Sequence, residues 1–259
     1  MPAQPAPLPV PATVPGSAAR ELGPRQGHPV VLCHGFTGTV QSLGRWPDAL
    51  AEAGYRVDVP RLPGHGRSWR WANRTGWQDW YRATERSLLR STVDSPAVVG
   101  GLSMGGALAL ALAIAHPRRV AGLVLVNPAV RAANPLVPLA PVLRHVLPSA
   151  PGIASDIADP AAPAEIAYDR VPVHALASQL RLWSGVRTRL GEVTCPVLLL
   201  RSATDHVVPA RSSREILQGV SSPDVTEVVL VRSHHVATLD HEAGVVCSES
   251  TDFVRRVLG

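Results

Sequence analysis

A serine flanked by glycines is the first feature of this 259-residue chain that could carry chemistry. The sequence GLSMG (101–105) follows an apolar run and directly precedes a helical pattern that starts at Met104. In a G-x-S-x-G turn between a strand and a helix, small neighbours let the backbone bend sharply and expose the hydroxyl. The helix also aims its first amides at developing negative charge. The context favours Ser103 as a nucleophile over an incidental serine in a glycine-rich turn.

A serine nucleophile needs a base, and the base needs an orienting carboxylate. Asp205 comes just after the strand-like run 196–201, and the pair His234 and His235 comes after the run 225–231. Catalytic groups gather at the carboxyl ends of strands in parallel sheets, so these side chains are expected at one edge. The spacing does not choose between His234 and His235. His206, next to Asp205, is expected to pack or hydrogen-bond locally in its loop.

A second glycine turn could supply hydrogen-bond donors for an oxyanion. HGFTG (34–38) follows the apolar run Pro29–Cys33, and Gly35 and Gly38 let this turn fold back toward the serine. The backbone amides of Phe36 and Met104 are then the predicted donors. His34 is expected to brace this loop rather than transfer a proton. The similar turn PGHG (63–66) is expected to be loop structure.

The elements that must position these residues alternate along the chain. Runs rich in valine and leucine predict strands buried on both faces, at 29–33, 55–59, 97–100, 120–126, 196–201 and 225–231. Helical patterns lie near 41–53, 77–92, 104–115, 211–218 and 240–257. Strand–helix–strand repetition predicts right-handed crossovers, and hence an α/β fold with a mainly parallel sheet flanked by helices.

Two segments depart from this alternation. Residues 1–27 begin with six prolines in sixteen residues, which predicts a mobile tail outside the fold. Residues 131–190 separate two strands by more than one helix, and we predict a cap insertion there, between the core segments 28–130 and 191–259. Apolar residues at mixed three- and four-residue spacing predict an amphipathic cap helix with an apolar inner face: Leu136, Leu139, Val142, Leu143, Leu147 and Ile153.

Composition excludes several other classes of protein. The net charge is +5, but the basic residues are arginines scattered along the chain, so nucleic-acid binding is not expected. Three cysteines without a C-x-x-C motif predict neither a disulfide framework nor a metal site. The longest apolar stretch, 107–115, is too short to span a bilayer, and the N-terminus does not resemble a signal peptide. A cytoplasmic location is therefore expected.

Four motifs together resemble a known family. HGFTGT (34–39), GLSMGG (101–106), DHVVP (205–209) and HVATLD (235–240) are similar to bacterial monoacylglycerol lipases and related short carboxylesterases of the α/β-hydrolase superfamily. The resemblance covers nearly the whole chain from Pro29 onward. It implies that His235 is the base, and that the amides of Phe36 and Met104 form the oxyanion hole.

The resemblance also carries expectations about the cap and the substrate. It implies a short mobile cap with an apolar acyl tunnel and a polar pocket for a glycerol head group, with Glu165 as a candidate lining residue. The proline-rich stretch 135–151 departs from the family pattern, which leaves the acyl-chain preference open.

The expected function is hydrolysis of carboxylic esters, above all monoacylglycerols, through an acyl-enzyme on Ser103 and without a cofactor or metal. Transient membrane or micelle contact through the cap is expected as well. The alternatives are a general short-chain carboxylesterase, a thioesterase, a lactonase or a perhydrolase. A non-catalytic receptor on the same fold is a further alternative, which the intact set of catalytic residue types disfavours.

Overall fold

The computed structural model describes residues 12–152 and 155–259. Its strands are β1 (Arg20–Leu22), β2 (Pro29–Cys33), β3 (Arg56–Val59), β4 (Ala97–Leu102), β5 (Val120–Val126), β6 (Ser149–Pro151), β7 (Arg170–Pro172), β8 (Val197–Ser202) and β9 (Val225–Leu230). Its helices are α1 (Trp46–Glu52), α2 (Trp69–Ala72), α3 (Trp77–Ser91), α4 (Met104–Ala115), α5 (Ala140–Leu143), α6 (Val173–Arg187), α7 (Ala210–Gly219) and α8 (Ala243–Leu258). Short 3-10 turns lie at Val40–Leu43, Val137–Leu139 and Leu190–Glu192.

Seven strands form one sheet in the order β1-β3-β2-β4-β5-β8-β9. All neighbours pair in parallel except β1, which runs antiparallel to β3. The predicted mainly parallel α/β sheet is thus confirmed. One core cluster joins α3, α4 and α6 to a face of the sheet, and a second joins α1 and α8 to the other face. Because helices cover both faces, β2 and β4 are buried along their whole length.

The last strand of the sheet differs from its prediction. The run 225–231 was expected to be buried on both faces, but most of β9 is exposed, including Val225 and Val229. The reason is its position, because β9 is the edge strand and pairs only with β8. A valine-rich run therefore predicts a strand here correctly, but it does not predict the strand's burial.

The prediction that residues 1–27 form a mobile tail outside the fold is wrong for the second half of this segment. Ser17 is fully buried and its hydroxyl donates to Val14 O over 2.6 Å. The strand β1 follows, and Arg20 forms an ion pair with Asp48 at 2.7 Å. The pairing of β1 with β3 has a physical reason, because β3 would otherwise be an edge strand with unpaired backbone groups. Residues 1–11 of the predicted tail lie outside the described residues.

The long connection from β5 to β8 contains two kinds of structure. Its second half forms α6, whose Leu182, Trp183 and Val186 join the core cluster beside α3 and α4. The part before α6 contains the short helix α5 and the two-stranded sheet of β6 and β7. The limits of a cap, 131–190, remain a prediction. No helix among the described residues is long and apolar enough to cross a membrane.

The prediction of an apolar inner face for the cap is wrong for most of the residues that it named. Leu136, Leu139, Val142 and Leu147 are 45% to 71% exposed. The prolines of this stretch interrupt the predicted helix, since proline lacks an amide and clashes with the preceding turn, and α5 spans one turn only. Leu143 is half-buried against the small cluster of α5 and α6, and Ile153 lies outside the described residues.

Candidate active site

Ser103 occupies a strained turn between β4 and α4. Its φ of 57° lies in the left-handed region, which is unfavourable for a residue with a side chain. Two hydrogen bonds hold this conformation, from Ser103 N to Val126 O at 2.9 Å and from Ala129 N to Ser103 O at 3.0 Å. A Cβ atom on Gly105 would lie only 2.1 Å from the carbonyl oxygen of Cys33, so this flanking position requires glycine.

Asp205 and His235 form a buried pair. His235 Nδ1 lies 2.8 Å from Asp205 Oδ2, and the two side chains are only 9% and 8% exposed. The other carboxylate oxygen accepts from the amides of Val207 and Val208 at 2.8 and 2.7 Å, which fixes its orientation. A carboxylate at Nδ1 leaves Nε2 of the neutral ring as the proton acceptor. Nδ1 of the neighbouring His234 instead lies 3.3 Å from Asp156 Oδ1.

Two buried residues that the sequence analysis missed hold the loop that carries His235. Asn127 Nδ2 donates to His235 O at 2.8 Å and to Ser202 Oγ at 3.0 Å. Ser202 N donates back to Asn127 Oδ1 at 2.7 Å, and Ser202 Oγ donates to His234 O at 2.7 Å. Asn127 directly follows β5 and Ser202 ends β8, so their place at the carboxyl ends of strands was the available signal.

Asp240 is a second anchor of this loop. Its carboxylate accepts from the amide of His234 at 2.8 Å, and from the amides of Ala158 and Asp159 at 2.7 and 2.9 Å. Burial alone would raise the pKa of this carboxyl, but the amide donors outweigh burial and the pKa lies below its usual value. An ionised Asp240 therefore joins the histidine loop to the segment 158–159.

The HGFTG turn lies against the serine. A Cβ atom on Gly35 would be 3.4 Å from Ser103 Cβ, so the backbone of this turn directly contacts the nucleophile candidate. Within the described part of the chain, no acceptor takes a hydrogen bond from the amides of Phe36 and Met104. Both are donors that remain available to a ligand beside Ser103.

His34 and His65 are buried near this turn. His34 Nδ1 lies 3.0 Å from Gly35 O, and its Nε2 accepts from Leu62 N at 3.2 Å. Burial lowers the pKa of His34 to about 4, so its ring is neutral and links two loops. His65 packs edge-on against His34 and Trp80, with ring centroids 5.1 and 5.5 Å apart. Burial lowers its pKa to about 3, which agrees with a structural role for the PGHG turn.

Ser103 and His235 line a cavity of about 200 Å³. Much of its wall is apolar, with contributions from the core and from the β5–β8 connection: Phe36, Leu102, Ala129, Ala132, Val137, Val171, Leu176, Trp183, Val207, Val208 and Val236. The polar lining includes Glu165, Gln179, Asn134 and Arg131. An apolar cavity with a few polar groups beside the reacting atoms is typical of sites for small amphipathic ligands.

Glu165 lies in this wall close to the HGFTG turn. Its carboxylate accepts from Ser42 Oγ at 2.8 Å. A Cβ atom on Gly38 would lie 2.9 Å from Glu165 Oε1 and 2.6 Å from Ser42 Oγ, so the second glycine of the turn makes room for this contact. Burial raises the pKa of Glu165, while the Ser42 hydroxyl and the nearby His235 partly oppose that shift.

His206 has a more distant partner than the sequence suggested. Its amide donates to Asp156 Oδ2 at 3.0 Å and its Nδ1 lies 2.7 Å from Asp156 Oδ1, although the two residues are 50 positions apart. The Asp156 carboxylate raises the pKa of His206. The expected local hydrogen bonding is therefore wrong, because this ring joins the Asp205 loop to the β5–β8 connection.

These contacts define what the site can do chemically. A hydroxyl in a strained turn, a carboxylate–imidazole pair and two free amides are the parts required for acyl transfer to serine. The arrangement at the carboxyl ends of β4, β8 and β9 also agrees with the location of ligand sites in parallel sheets.

Comparisons with known proteins agree with this chemistry. The chain is 37% identical over 233 residues to a thermostable monoacylglycerol lipase of Bacillus sp. (strain H-257), covering 89% of this chain and 91% of that protein. It is 26% identical to a carboxylesterase of Bacillus subtilis (strain 168), covering 88% and 92%. A solved structure described under LipS and LipT, two metagenome-derived lipolytic enzymes, superimposes with a TM-score of 0.90 and 31% identity, covering 95% of this chain and all of that one.

The family profile gives the same result over most of the chain. The family described as serine aminopeptidase, S33, matches residues 25–242, a range that includes β2 to β9 and the serine, aspartate and histidine segments. The central sheet with helices on both faces is the fold of the α/β-hydrolases. This chain therefore belongs to the serine aminopeptidase S33 family of α/β-hydrolases.

Proposed function

We propose that this ester hydrolase cleaves monoacylglycerols, with Ser103 as nucleophile, His235 as general base and Asp205 as the carboxylate that orients the base. The observation that carries the proposal is the buried His235–Asp205 contact of 2.8 Å, because His235 lines the same cavity as Ser103. The comparisons support the ester-hydrolysing class, and the 37% identical relative is named a monoacylglycerol lipase.

The mechanism follows from these positions. His235 Nε2 takes the proton of Ser103 as Oγ attacks the ester carbonyl, while Asp205 holds the ring tautomer and stabilises the imidazolium. The amides of Phe36 and Met104 donate to the oxyanion, each contributing roughly 3 kcal/mol to transition-state stabilisation. His235 then protonates the leaving alcohol. Water attacks the acyl-enzyme by the same route and releases the acid.

The cavity supports a substrate with one acyl chain and a small polar alcohol. Its apolar wall suits the acyl chain, since each buried methylene contributes about 0.8 kcal/mol. We propose that Glu165 accepts a hydrogen bond from a glycerol hydroxyl. The place of Glu165 in the cavity wall and its orientation by Ser42 support this role, because a carboxylate oxygen there can accept from a hydroxyl of the substrate.

A contact with lipid surfaces is part of the same proposal. Five apolar side chains on the segment 136–147 are strongly exposed: Leu136, Leu139, Val142, Val146 and Leu147. Exposed apolar clusters commonly mark interaction surfaces. Arg144 lies in the same segment and adds a positive charge that favours an anionic lipid surface. We propose that this segment touches micelles or membranes while a monoacylglycerol enters the cavity.

The first experiment tests the nucleophile. Ser103→Ala should lower turnover on a monoacylglycerol at least about a thousandfold, as expected for a triad member. It should also abolish labelling by a fluorophosphonate, whereas Ser248→Ala, at an exposed position of α8, should leave both unchanged. A folded Ser103→Ala protein that retains activity within tenfold of wild type would contradict the proposal.

A substrate panel tests the alternatives, first among them a general short-chain carboxylesterase. Specificity should rise from acetyl to octanoyl esters, because the apolar cavity stabilises longer chains. Monoacylglycerols should be cleaved faster than triacylglycerols and acyl thioesters. A profile that is flat or falls beyond butyryl, or equal turnover of triacylglycerols, would favour the carboxylesterase function.

A further inference from the structure

Three side chains outside the proposed triad converge beside the cavity. Asp156 Oδ1 lies 2.7 Å from His206 Nδ1 and 3.3 Å from His234 Nδ1, and all three ligand atoms lie within 4.8 Å of one another. The two imidazole rings meet edge to face with centroids 4.8 Å apart. Two ring nitrogens directed at one carboxylate oxygen form a set of two imidazoles and one carboxylate, which is a ligand set used for divalent transition metals.

One of the distances already suits a metal ion, whereas the 2.7 Å hydrogen bond between His206 and Asp156 would have to open. Zinc binds imidazole nitrogen and carboxylate oxygen at roughly 2.0–2.2 Å, which corresponds to ligand atoms about 3.4 Å apart in a tetrahedron. The His234–Asp156 distance already matches that spacing. The side chain of His206 is 59% exposed, so its ring can turn outward to complete the set.

The carboxylate is held in place through Oδ2, while Oδ1 contacts the two histidine rings, so a metal ion would have to replace the hydrogen bond between His206 Nδ1 and Oδ1. Asp156 Oδ2 accepts from the amides of His206 and His235 at 3.0 and 3.3 Å. These bonds orient Oδ1 toward the two rings, as outer-shell hydrogen bonds orient ligating carboxylates in metal sites. The side chain of Asp156 is 9% exposed, whereas that of His206 opens to solvent, so an ion has a route of entry.

We infer that Asp156, His206 and His234 bind a divalent transition metal such as Zn²⁺ at the wall of the active-site cavity. The sequence analysis predicted no metal site, because the ligands come from three separate segments and form no spaced motif. His206 and His234 are the chain neighbours of Asp205 and His235, while Asp156 belongs to the β5–β8 connection. A bound ion would therefore fasten that connection to both loops of the proposed triad and stabilise the folded protein.

The test measures zinc binding and thermal stability rather than activity. Untagged protein dialysed against a chelator is titrated with ZnCl₂ by calorimetry, and its melting temperature is followed against zinc concentration. We expect one ion per chain and a melting temperature that rises with zinc, as for any ligand of the folded state. Zinc-edge anomalous diffraction should place the ion among the three ligands.

Variants make the result specific. His206→Asn and His234→Asn should each weaken zinc binding at least about tenfold and remove the zinc-dependent rise in melting temperature. His174→Asn, at an exposed histidine on α6, is the matched control and should behave as wild type. Equal zinc affinity in wild type and in both variants, or an ion located at other residues, would overturn the inference. Neither outcome bears on the proposed ester hydrolysis.

Discussion

The two walls of the cavity are built differently. On the core side, Ser103, Asp205 and His235 follow strands of the sheet, and hydrogen bonds to or from backbone groups hold each of their turns. On the opposite side, the segment 134–147 contains one turn of helix and exposes most of its apolar side chains. The comparison teaches that the fold holds the turns of the reacting groups, whereas the segment 134–147 is joined to the rest of the protein by a few apolar side chains, Val137, Ala140 and Leu143.

The largest expected effect separates the adjacent histidines on the core side. His235→Ala should lower kcat at least about a thousandfold, because it removes the proposed base and its contact with Asp205. His234→Ala should keep most of the activity, since its ring lies at Asp156 instead. Steady-state kinetics on a soluble ester compare the two variants. The reverse ranking would show that the base was assigned to the wrong histidine.

A smaller effect tests whether the fold itself holds the base. Asn127→Ala removes the donor to His235 O and should lower kcat about 10- to 100-fold, with little change in KM. Its unfolding free energy should fall by about 1–3 kcal/mol, because Ser202 N loses its buried acceptor. Asn73→Ala removes bonds to Pro148 O and His174 N and is the control for destabilisation alone. Equal kcat losses in the two variants would contradict positioning by Asn127.

A substitution at Glu165 tests whether this part of the cavity wall contacts the glycerol group of the substrate. Glu165→Gln should raise KM for monoacylglycerols about tenfold while the p-nitrophenyl ester is little affected, because only the first substrate offers glycerol hydroxyls. Glu52→Gln, at an exposed ion pair, is the control. A similar change in KM for both substrates would argue against a head-group contact.

The variant Glu165→Gln should also differ from wild type in how its thermal stability depends on pH. The folded-state pKa of Glu165 is raised, so its ionisation disfavours the fold, and that cost develops as the pH rises from the unfolded pKa through the folded one. Glu165→Gln should therefore melt at a higher temperature than wild type at neutral pH, and the difference should vanish below about pH 4. Melting curves between pH 4 and 8 measure it. A stabilisation that is independent of pH would contradict burial of the ionised carboxylate.

The smallest effect concerns the exposed apolar segment. Leu136→Ser combined with Val142→Ser should lower turnover of emulsified or vesicle-bound monoacylglycerol about threefold, because less apolar surface reaches the lipid. Hydrolysis of a soluble ester should not change. Val93→Ser changes an exposed valine in the loop before β4, at the amino end of that strand and hence at the end opposite to the site, and is the control. A matching loss on the soluble ester would mean that the segment acts on the cavity and not on the lipid surface.

The sequence was informative where local chemistry determines structure. The turn at Ser103 and the glycines around it follow from steric limits that few residue types satisfy, and the parallel sheet follows from valine-rich runs between helices. The proposed positions of Asp205 and His235 came from their place after strands. The choice of His235 over its neighbour needed the family resemblance, because both histidines lie in the same short loop after β9.

Long-range contacts could not be predicted in this way. The bonds between Asn127 and Ser202, and between Asp156 and His206, join residues far apart in sequence and leave no periodic pattern. The edge position of β9 depends on strand order, which hydrophobicity does not encode. The short helix α5 arose because prolines interrupt a run whose leucine spacing alone predicted a longer helix.

The pairing of β8 with β5 has a consequence for how the chain refolds. Asn127 directly follows β5 and Ser202 ends β8; the two residues are 75 positions apart, so their contact requires closure of a long loop. Parallel pairings of this kind form slowly, because the loop entropy is lost before the contacts are gained. Helices can therefore form before the loop of His235 has its partners. Recovery of hydrolysis after dilution from denaturant should lag behind recovery of helical signal, which makes enzyme activity a reporter of the last steps of folding.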